Sequence, residues 1–394
     1  MSCKKKTQTD RKVSKKHITE KNSTDLCFPQ DTCRLNVCLK NQTDLAGLSS
    51  LGDENQDTDS HHFTSDQSKV QSDDVEGQLI GDHETQESEG GEADLHQYLV
   101  GCKKNPGHRQ FISVDTFTLK HLPKGHQDND LYEYIKLIAD LTVRVSVKMS
   151  SPDRPKFWPK TTQPYPFSNM SERRNLRTGS GRVRYVNKFQ DGVLQDGDYE
   201  DTAYTECWCR KCEVSDSPSN VWWEFQVYTA THVVFDDIEA KRTTLRLFYD
   251  RDGSPVVIVD KVSVNYVFIE YDWCRLNCVT CDKTIGNKLM EIWKHLEIVR
   301  KKVYNKYFAS RSQHKLTFIV SHPHGCSKQV SVGQWKDKLK VGDNSKFTYT
   351  TCTCPGSSGA HVYCLGYSDH RTWFDLVHSG SIKPGLNYSG VSFV

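Results

Sequence analysis

The chain has 394 residues, a formal net charge of +2 and a mean hydropathy of −0.67. That length suits one or two domains with tails, and the near-balanced charge gives no electrostatic ground for a nucleic-acid or membrane partner. No apolar run reaches the roughly 18–20 residues that span a bilayer.

The first 94 residues hold only Phe28 and Phe63, although the chain carries 8 Trp, 17 Tyr and 16 Phe. A segment without large apolar side chains cannot offset its ordering entropy, so residues 1–94 are expected to be a disordered tail. Its basic start, Met1-Ser-Cys-Lys-Lys-Lys, is followed by no apolar segment. This sets the expectation of an intracellular, cytoplasmic protein, with the lysine-rich first 20 residues leaving nuclear import as the alternative. Residues 52–94 turn acidic and polar like a linker, and no chemistry is assigned to them.

Leu131 to Leu141 is predicted to be a short amphipathic helix, and Thr142-Val-Arg-Val-Ser-Val-Lys alternates like a strand. Five prolines between 151 and 168 predict an irregular connector. Residues 95–170 are therefore expected to form a small accessory or packing segment ahead of a main domain at 171–394. From Thr178 onward strand patterns dominate. Gly179-Ser-Gly is predicted to be a tight turn opening an alternating strand. Trp223–Tyr228, Thr244–Tyr249, Val262–Ile269, Leu316–Val320 and Val330–Val332 alternate too. The exception is Lys288–Phe308, where Leu289, Ile292, Trp293, Leu296, Val299, Val303 and Tyr307 recur at helical spacing. The fold class expected is all-β, a sandwich or barrel with a helical insertion.

Three short stretches carry chemistry. Cys354-Pro-Gly-Ser-Ser-Gly-Ala is a small-residue turn that can expose a serine hydroxyl beside free main-chain N–H groups. Ser358 is the candidate nucleophile, and the Gly356 and Ser358 N–H groups are the candidate oxyanion donors. Tyr228-Thr-Ala-Thr-His-Val-Val ends an alternating strand in a turn that presents His232, the fixed placement a general base needs. Asp272, in Ile269-Glu-Tyr-Asp-Trp-Cys, is the best acid to orient it, with Glu270, Asp260 and Asp282 as rivals.

The order His, Asp, Ser at separations of 40 and 86 residues resembles trypsin-like serine proteases. Gly179-Ser-Gly-Arg-Val resembles the glycine-rich opening strand of their HtrA-like branch. Thr229-Ala-Thr-His-Val is similar to the family's Thr-Ala-Ala-His motif, and Ser321-His-Pro-His-Gly to a Ser-His-Pro-x-Gly loop of intracellular HtrA-type members. His378-Ser-Gly lies where the family places a strand lining the substrate cleft. The resemblance covers roughly residues 178–394 and stops short of a complete HtrA architecture, since no PDZ-like segment follows. It implies a chymotrypsin-like double six-stranded β-barrel with the site between the barrels. The activity it implies is that of a serine endopeptidase working through an acyl-enzyme on Ser358, with a protein or peptide substrate and no catalytic cofactor. Three positions depart from the pattern: Ser357 replaces an aspartate, His361 a proline, and Cys352 stands where an acid would favour cleavage after Lys or Arg. These departures keep a second reading open, that of a catalytically silent pseudoprotease binding proteins in its cleft.

The 15 cysteines of an intracellular chain are expected to be thiols or metal ligands rather than disulfides. Cys207-Trp-Cys-Arg-Lys-Cys212 and Cys274-x3-Cys278-x2-Cys281 have the spacing of zinc-binding turns. Cys207, Cys209, Cys212, Cys278 and Cys281 are the candidate ligands of a structural zinc.

Overall fold

The computed structural model describes residues 80–197, 202–368 and 375–393; residues 1–79, most of the expected tail, lie outside the described residues. The strand patterns fold into two antiparallel sheets. The first runs in the order Val262–Phe268, Trp273–Thr280, Val221–Thr229, Leu176–Gln190, Thr142–Val147, Thr243–Leu247, Val257–Val259, with Gln86–Ser88 and Val193–Asp196 paired to Leu176–Gln190. The second runs Asp82–His83, His378–Lys383, Leu386–Ser389, Asn344–Tyr349, Gln329–Val341, Leu316–Ser321, Val362–Cys364, with Phe111–Ser113 on Gln329–Val341. A bridge from His361 to Val377 returns its last strand to His378–Lys383, so six strands of this sheet close on themselves. The arrangement agrees with the two-barrel chymotrypsin-like fold expected. Among the described residues the sheets hold nine and eight strands rather than six each; Gln86–Ser88 and Thr142–Val147 join the first from outside the expected domain and leave it seven of its own, and Asp82–His83 and Phe111–Ser113 join the second and leave it six.

The two longest helices among the described residues pack on this frame. Asn129–Leu141 starts at Asp128, whose side chain accepts from the Leu131 N–H, and buries Leu131, Tyr134, Ile135 and Ile138 along one face. Lys283–Tyr307 connects the first sheet to the second and is capped by Asp282. Of its predicted stripe, Leu289, Trp293, Leu296, Val299, Val303 and Tyr307 are buried, and Ile292 is only partly so. Each fully buried leucine or valine of such a face contributes about 1.5–3 kcal/mol. Gly286 allows the contact with the sheet, since a Cβ there would stand 2.1 Å from the Trp223 ring.

Three sequence expectations are corrected here. Order begins before Leu95: Asp82–His83 and Gln86–Ser88 are strands, and Glu92–Val100 is a helix. Composition missed this because main-chain pairing and charged contacts, not apolar side chains, hold residues 81–88. Residues 95–170 do not pack as a separate accessory piece. Thr142–Val147 lies between Leu176–Gln190 and Thr243–Leu247 inside the first sheet, and the Asn129–Leu141 helix packs in the main core. Finally, Gly179-Ser-Gly is no turn but part of the continuous strand Leu176–Gln190. Its glycines answer to crowding, since a Cβ on Gly179 would meet Val233 at 2.8 Å and the Ser358 carbonyl at 3.0 Å.

Candidate active site

His232, Asp272 and Ser358 meet where the two sheets face each other. His232 follows the end of strand Val221–Thr229 in a turn held by Thr231, whose hydroxyl donates to the Trp273 carbonyl at 2.8 Å. Asp272 stands just before strand Trp273–Thr280 with a φ of +52°. That left-handed backbone is costly for a residue with a Cβ and turns the carboxylate toward the histidine. His232 Nδ1 lies 2.9 and 2.8 Å from the two Asp272 oxygens, and the His232 main-chain N–H donates to Asp272 Oδ1 at 3.1 Å. The Ser379 hydroxyl donates to Asp272 Oδ2. On the other side of the ring, His232 Nε2 lies 2.7 Å from Ser358 Oγ. All three side chains are buried. Of the rivals, Asp260 pairs with Arg210, Asp282 caps the long helix, and Glu270 lines the groove beside Asp272.

The turn around Ser358 depends on glycine geometry. Gly356 has φ +96°, and a Cβ on it would stand 2.4 Å from the His322 carbonyl. Gly359 has φ +82°, and a Cβ would reach Thr229 Oγ1 at 2.1 Å. The loop Ser321-His-Pro-His-Gly packs beneath this turn, with Ser321 Oγ 3.0 Å from Ser357 Oγ. Ser357 thus serves as a buttress of the serine turn. His361 turns away from the cleft into a buried group with Asp375, Arg182 and Arg184.

The cleft holds a segment that the sequence left without a role. His83 pairs with Gly380 and Asp82 with Ser381, antiparallel. The Glu84 carbonyl oxygen accepts from the Gly356 N–H at 2.6 Å and the Ser358 N–H at 3.3 Å, and the Glu84 N–H donates to Ser358 Oγ at 3.0 Å. The His83 ring packs between Phe167, at 4.9 Å, and His232, at 5.7 Å, and burial pushes its pKa down to about 3. The Glu84 carboxylate accepts from Lys104 through Oε1 and meets His378 Nε2 at 2.7 Å through Oε2. Burial opposes its ionisation, yet the His378 and Lys104 contacts hold its pKa at about 2. His378 in turn lies 2.6 Å from the Tyr349 hydroxyl, and Lys104 also reaches Thr353 and Asn387. Alongside, a groove of about 510 Å³ runs past Asp272 and Ser379, lined by Ile80, Trp158 and Tyr388 among others.

Lys104 and Glu84 were invisible to motif reasoning, because neither belongs to a pattern and both lie more than a hundred residues before the serine turn. His378 is found by its place in the motif His378-Ser-Gly, but its contacts with Glu84 and Tyr349 are visible only in the fold.

Six of the eleven described cysteines fall into two groups. Cys207, Cys209, Cys212 and Cys281 bring their sulfurs within 4.8 Å of one another, with Cys281 3.6 Å from Cys209 and from Cys212. Cys278 does not join them, correcting its place among the candidate ligands. Strand alternation sends Cys274, Leu276 and Cys278 into the main core, while Val279 faces the cysteine group. A second group, Cys102, His108, His324 and Cys354, lies behind the serine turn. The described cysteines are all free.

No protein-family model matches this chain, and no curated protein does. Among solved structures, the crystal structure of Rv3671c protease in its inactive form is similar over 67% of this chain and 90% of that chain, with 10% identity and a TM-score of 0.30. So remote a likeness leaves the side-chain geometry as the ground for a functional reading.

Proposed function

We propose that this chain is a serine endopeptidase. The observation that carries the reading is the unbroken relay from Ser379 through Asp272 and His232 to Ser358 Oγ, ending beside two N–H groups that already hold a carbonyl oxygen. In the reaction, Ser358 Oγ attacks the substrate carbonyl carbon while His232 Nε2 takes its proton. Gly356 and Ser358 N–H groups carry the oxyanion, and Asp272 steadies the imidazolium. His232 then returns the proton to the leaving amine, and water hydrolyses the acyl-enzyme by the same steps in reverse. No cofactor enters this chemistry. The pseudoprotease alternative rests on Ser357 and His361, which pack against Ser321 and Asp375, and the labelling experiment below decides between the two readings. Four cysteines, Cys207, Cys209, Cys212 and Cys281, have the donor set and spacing to hold a structural zinc that pins the 207–212 loop to strand Trp273–Thr280.

Labelling with a fluorophosphonate probe tests the reading. Residues 81–86 cover Ser358, so the probe is applied both to the wild-type chain and to Glu84→Lys, which sets a cation against Lys104 and His378 and opens the cleft. Labelling of Glu84→Lys that disappears on adding Ser358→Ala or His232→Ala is the expected result. A folded Glu84→Lys chain that stays unlabelled would overturn the proposal.

A further inference from the structure

We infer that the specificity pocket is built for glutamate and that the first bond it cuts is the chain's own Glu84–Thr85 peptide. This rests on the serine-protease reading and adds its substrate class. Residues 82–84 lie as a bound substrate would. The two preceding residues pair antiparallel with Gly380 and Ser381, the Glu84 carbonyl sits in the N–H pair of Gly356 and Ser358, and the nucleophile is in contact at 3.0 Å with the Glu84 amide. Gly380 has to be glycine for this approach, since a Cβ there would stand 2.2 Å from the Asp82 carbonyl. The side chain of Glu84 enters a pocket with the Lys104 ammonium and the His378 ring, whose own pKa burial lowers, and with no acid against it among the described residues. Lys104 and His378 match a carboxylate through charge-assisted hydrogen bonds. A glutamine amide would offer an NH2 donor to groups that themselves donate, and a lysine would meet like charge.

The chain beyond the bond is anchored independently. Gln86, Glu87 and Ser88 pair with Thr178, Arg177 and Leu176 of the first sheet. Cleavage therefore frees residues 1–84 while Thr85 onward stays in place. Ser358 Oγ bonds to the Glu84 carbonyl carbon, its proton passing to His232. The Glu84–Thr85 C–N bond breaks as that proton moves to the Thr85 nitrogen. Water then cleaves the ester, giving a Glu84 α-carboxylate, a free Thr85 amine and the regenerated serine.

The purified intact chain is followed by mass spectrometry beside Ser358→Ala and Glu84→Gln. Fragments 1–84 and 85–394 are expected from the wild type, at a rate independent of dilution. Ser358→Ala should stay whole, and Glu84→Gln should be cut about 100-fold more slowly at this bond, the scale of losing a buried charge pair. With Glu84→Lys as enzyme, a peptide of sequence Gly-Asp-His-Glu-Thr-Gln should be cleaved about 100-fold faster than its Glu→Gln counterpart. If Glu84→Lys labels with the fluorophosphonate but the wild type is never cut after Glu84, or if the two peptides are cut equally, this inference fails and the protease reading survives. Absence of labelling fells the protease reading itself.

A separate observation carries a second proposal: the geometry points to a zinc site of Cys102, His108, His324 and Cys354. The sulfurs of Cys102 and Cys354 are 3.6 Å apart, Cys354 Sγ and His108 Nε2 3.4 Å, and the two His Nε2 atoms 3.3 Å. A tetrahedron with Zn–S of about 2.3 Å and Zn–N of about 2.0–2.1 Å sets its ligand atoms about 3.3–3.8 Å apart. The surroundings fit as well. Asn105 donates from its N–H to Cys102 Sγ and from its amide to Cys354 Sγ, as suits thiolates. Gln86 Oε1 takes the Nδ1 proton of His324 at 2.8 Å, which leaves Nε2 free to ligate. The ion would clamp the loop that carries Lys104 to the serine turn. Metal analysis is made on the Ser358→Ala chain, which cannot cut itself. About two zinc ions per chain are expected, one of them lost in His108→Ala and the other in Cys281→Ser. Cobalt exchange should give thiolate-to-cobalt absorption that His108→Ala reduces. A His108→Ala chain with undiminished metal and unchanged cobalt spectrum would overturn the site.

Discussion

Arg154 and Glu239 form a fully buried two-pronged ion pair, Nε to Oε1 and Nη2 to Oε2 both at 2.7 Å. The same guanidinium donates to the His232 main-chain carbonyl at 3.1 Å, so the proline-rich connector at 151–168 braces His232 from behind. Glu239 also pairs with Arg177 at 3.0 Å and accepts from the Ser151 and Phe235 N–H groups. Burial opposes its ionisation, but the Arg154 bond and charge and the Arg177 charge hold its pKa below the ordinary range.

Glu239→Ala should therefore be among the most damaging changes outside the triad. It leaves two arginines buried without their counter-charge, a loss of about 3–5 kcal/mol. Urea unfolding on the Ser358→Ala background measures it. A change below about 1 kcal/mol would mean that solvent reaches the cluster.

Ser379→Ala removes one hydrogen bond to the Asp272 carboxylate and leaves the rest of the triad in place. Ser379 is a positioning residue, so kcat should fall about 10–100-fold, the worth of a hydrogen bond to a charged group, with KM little changed. A matching loss in KM would point instead to a role in holding substrate.

Gly356→Ala attacks the oxyanion donors. The residue has φ +96°, and the new Cβ would meet the His322 carbonyl at 2.4 Å. The peptide must turn, carrying its N–H away from the Glu84 carbonyl. Peptidase kcat should drop about 10²–10³-fold, as when one oxyanion donor is lost, while circular dichroism stays that of a folded chain.

The docked segment should loosen in acid. The Glu84 carboxyl is held at about 2 against an ordinary 4.5 because His378 and Lys104 outweigh the burial that opposes its charge. A depressed value means that its contribution is complete above pH 4.5 and is lost as pH falls toward 2. The loss is on the order of 3 kcal/mol. Hydrogen exchange of the 82–88 amides in Ser358→Ala, compared at pH 6 and pH 3 and corrected for intrinsic rates, should read about 2 kcal/mol of it, since at pH 3 the folded-state carboxyl is still mostly ionised. Protection unchanged between the two would show that the carboxylate is not what holds the segment.

The sequence by itself determined the periodic parts of this protein and the order of its reactive residues. The Lys288–Phe308 stripe and the alternating strands could be read because burying one face repeats at 3.6 or 2 residues, a signal carried within each segment. His232, Asp272 and Ser358 could be read because each sits in a short stretch whose small or apolar neighbours serve the same local task. The exclusion of Cys278 was legible too, in the alternation that puts it on the Leu276 face, but spacing alone overlooked it. What occupies the cleft was decided only by tertiary structure. Glu84 reaches Ser358 across 274 positions, and His108 reaches Cys354 across 246. Such contacts between single polar side chains leave no periodicity in the chain, and an acidic, polar stretch without aromatic residues gives no sign that main-chain pairing and two side-chain donors will hold residues 82–88 in place. The fold therefore followed from patterns of burial, while the glutamate pocket and the second ligand cluster arose only when distant loops were brought within hydrogen-bonding distance.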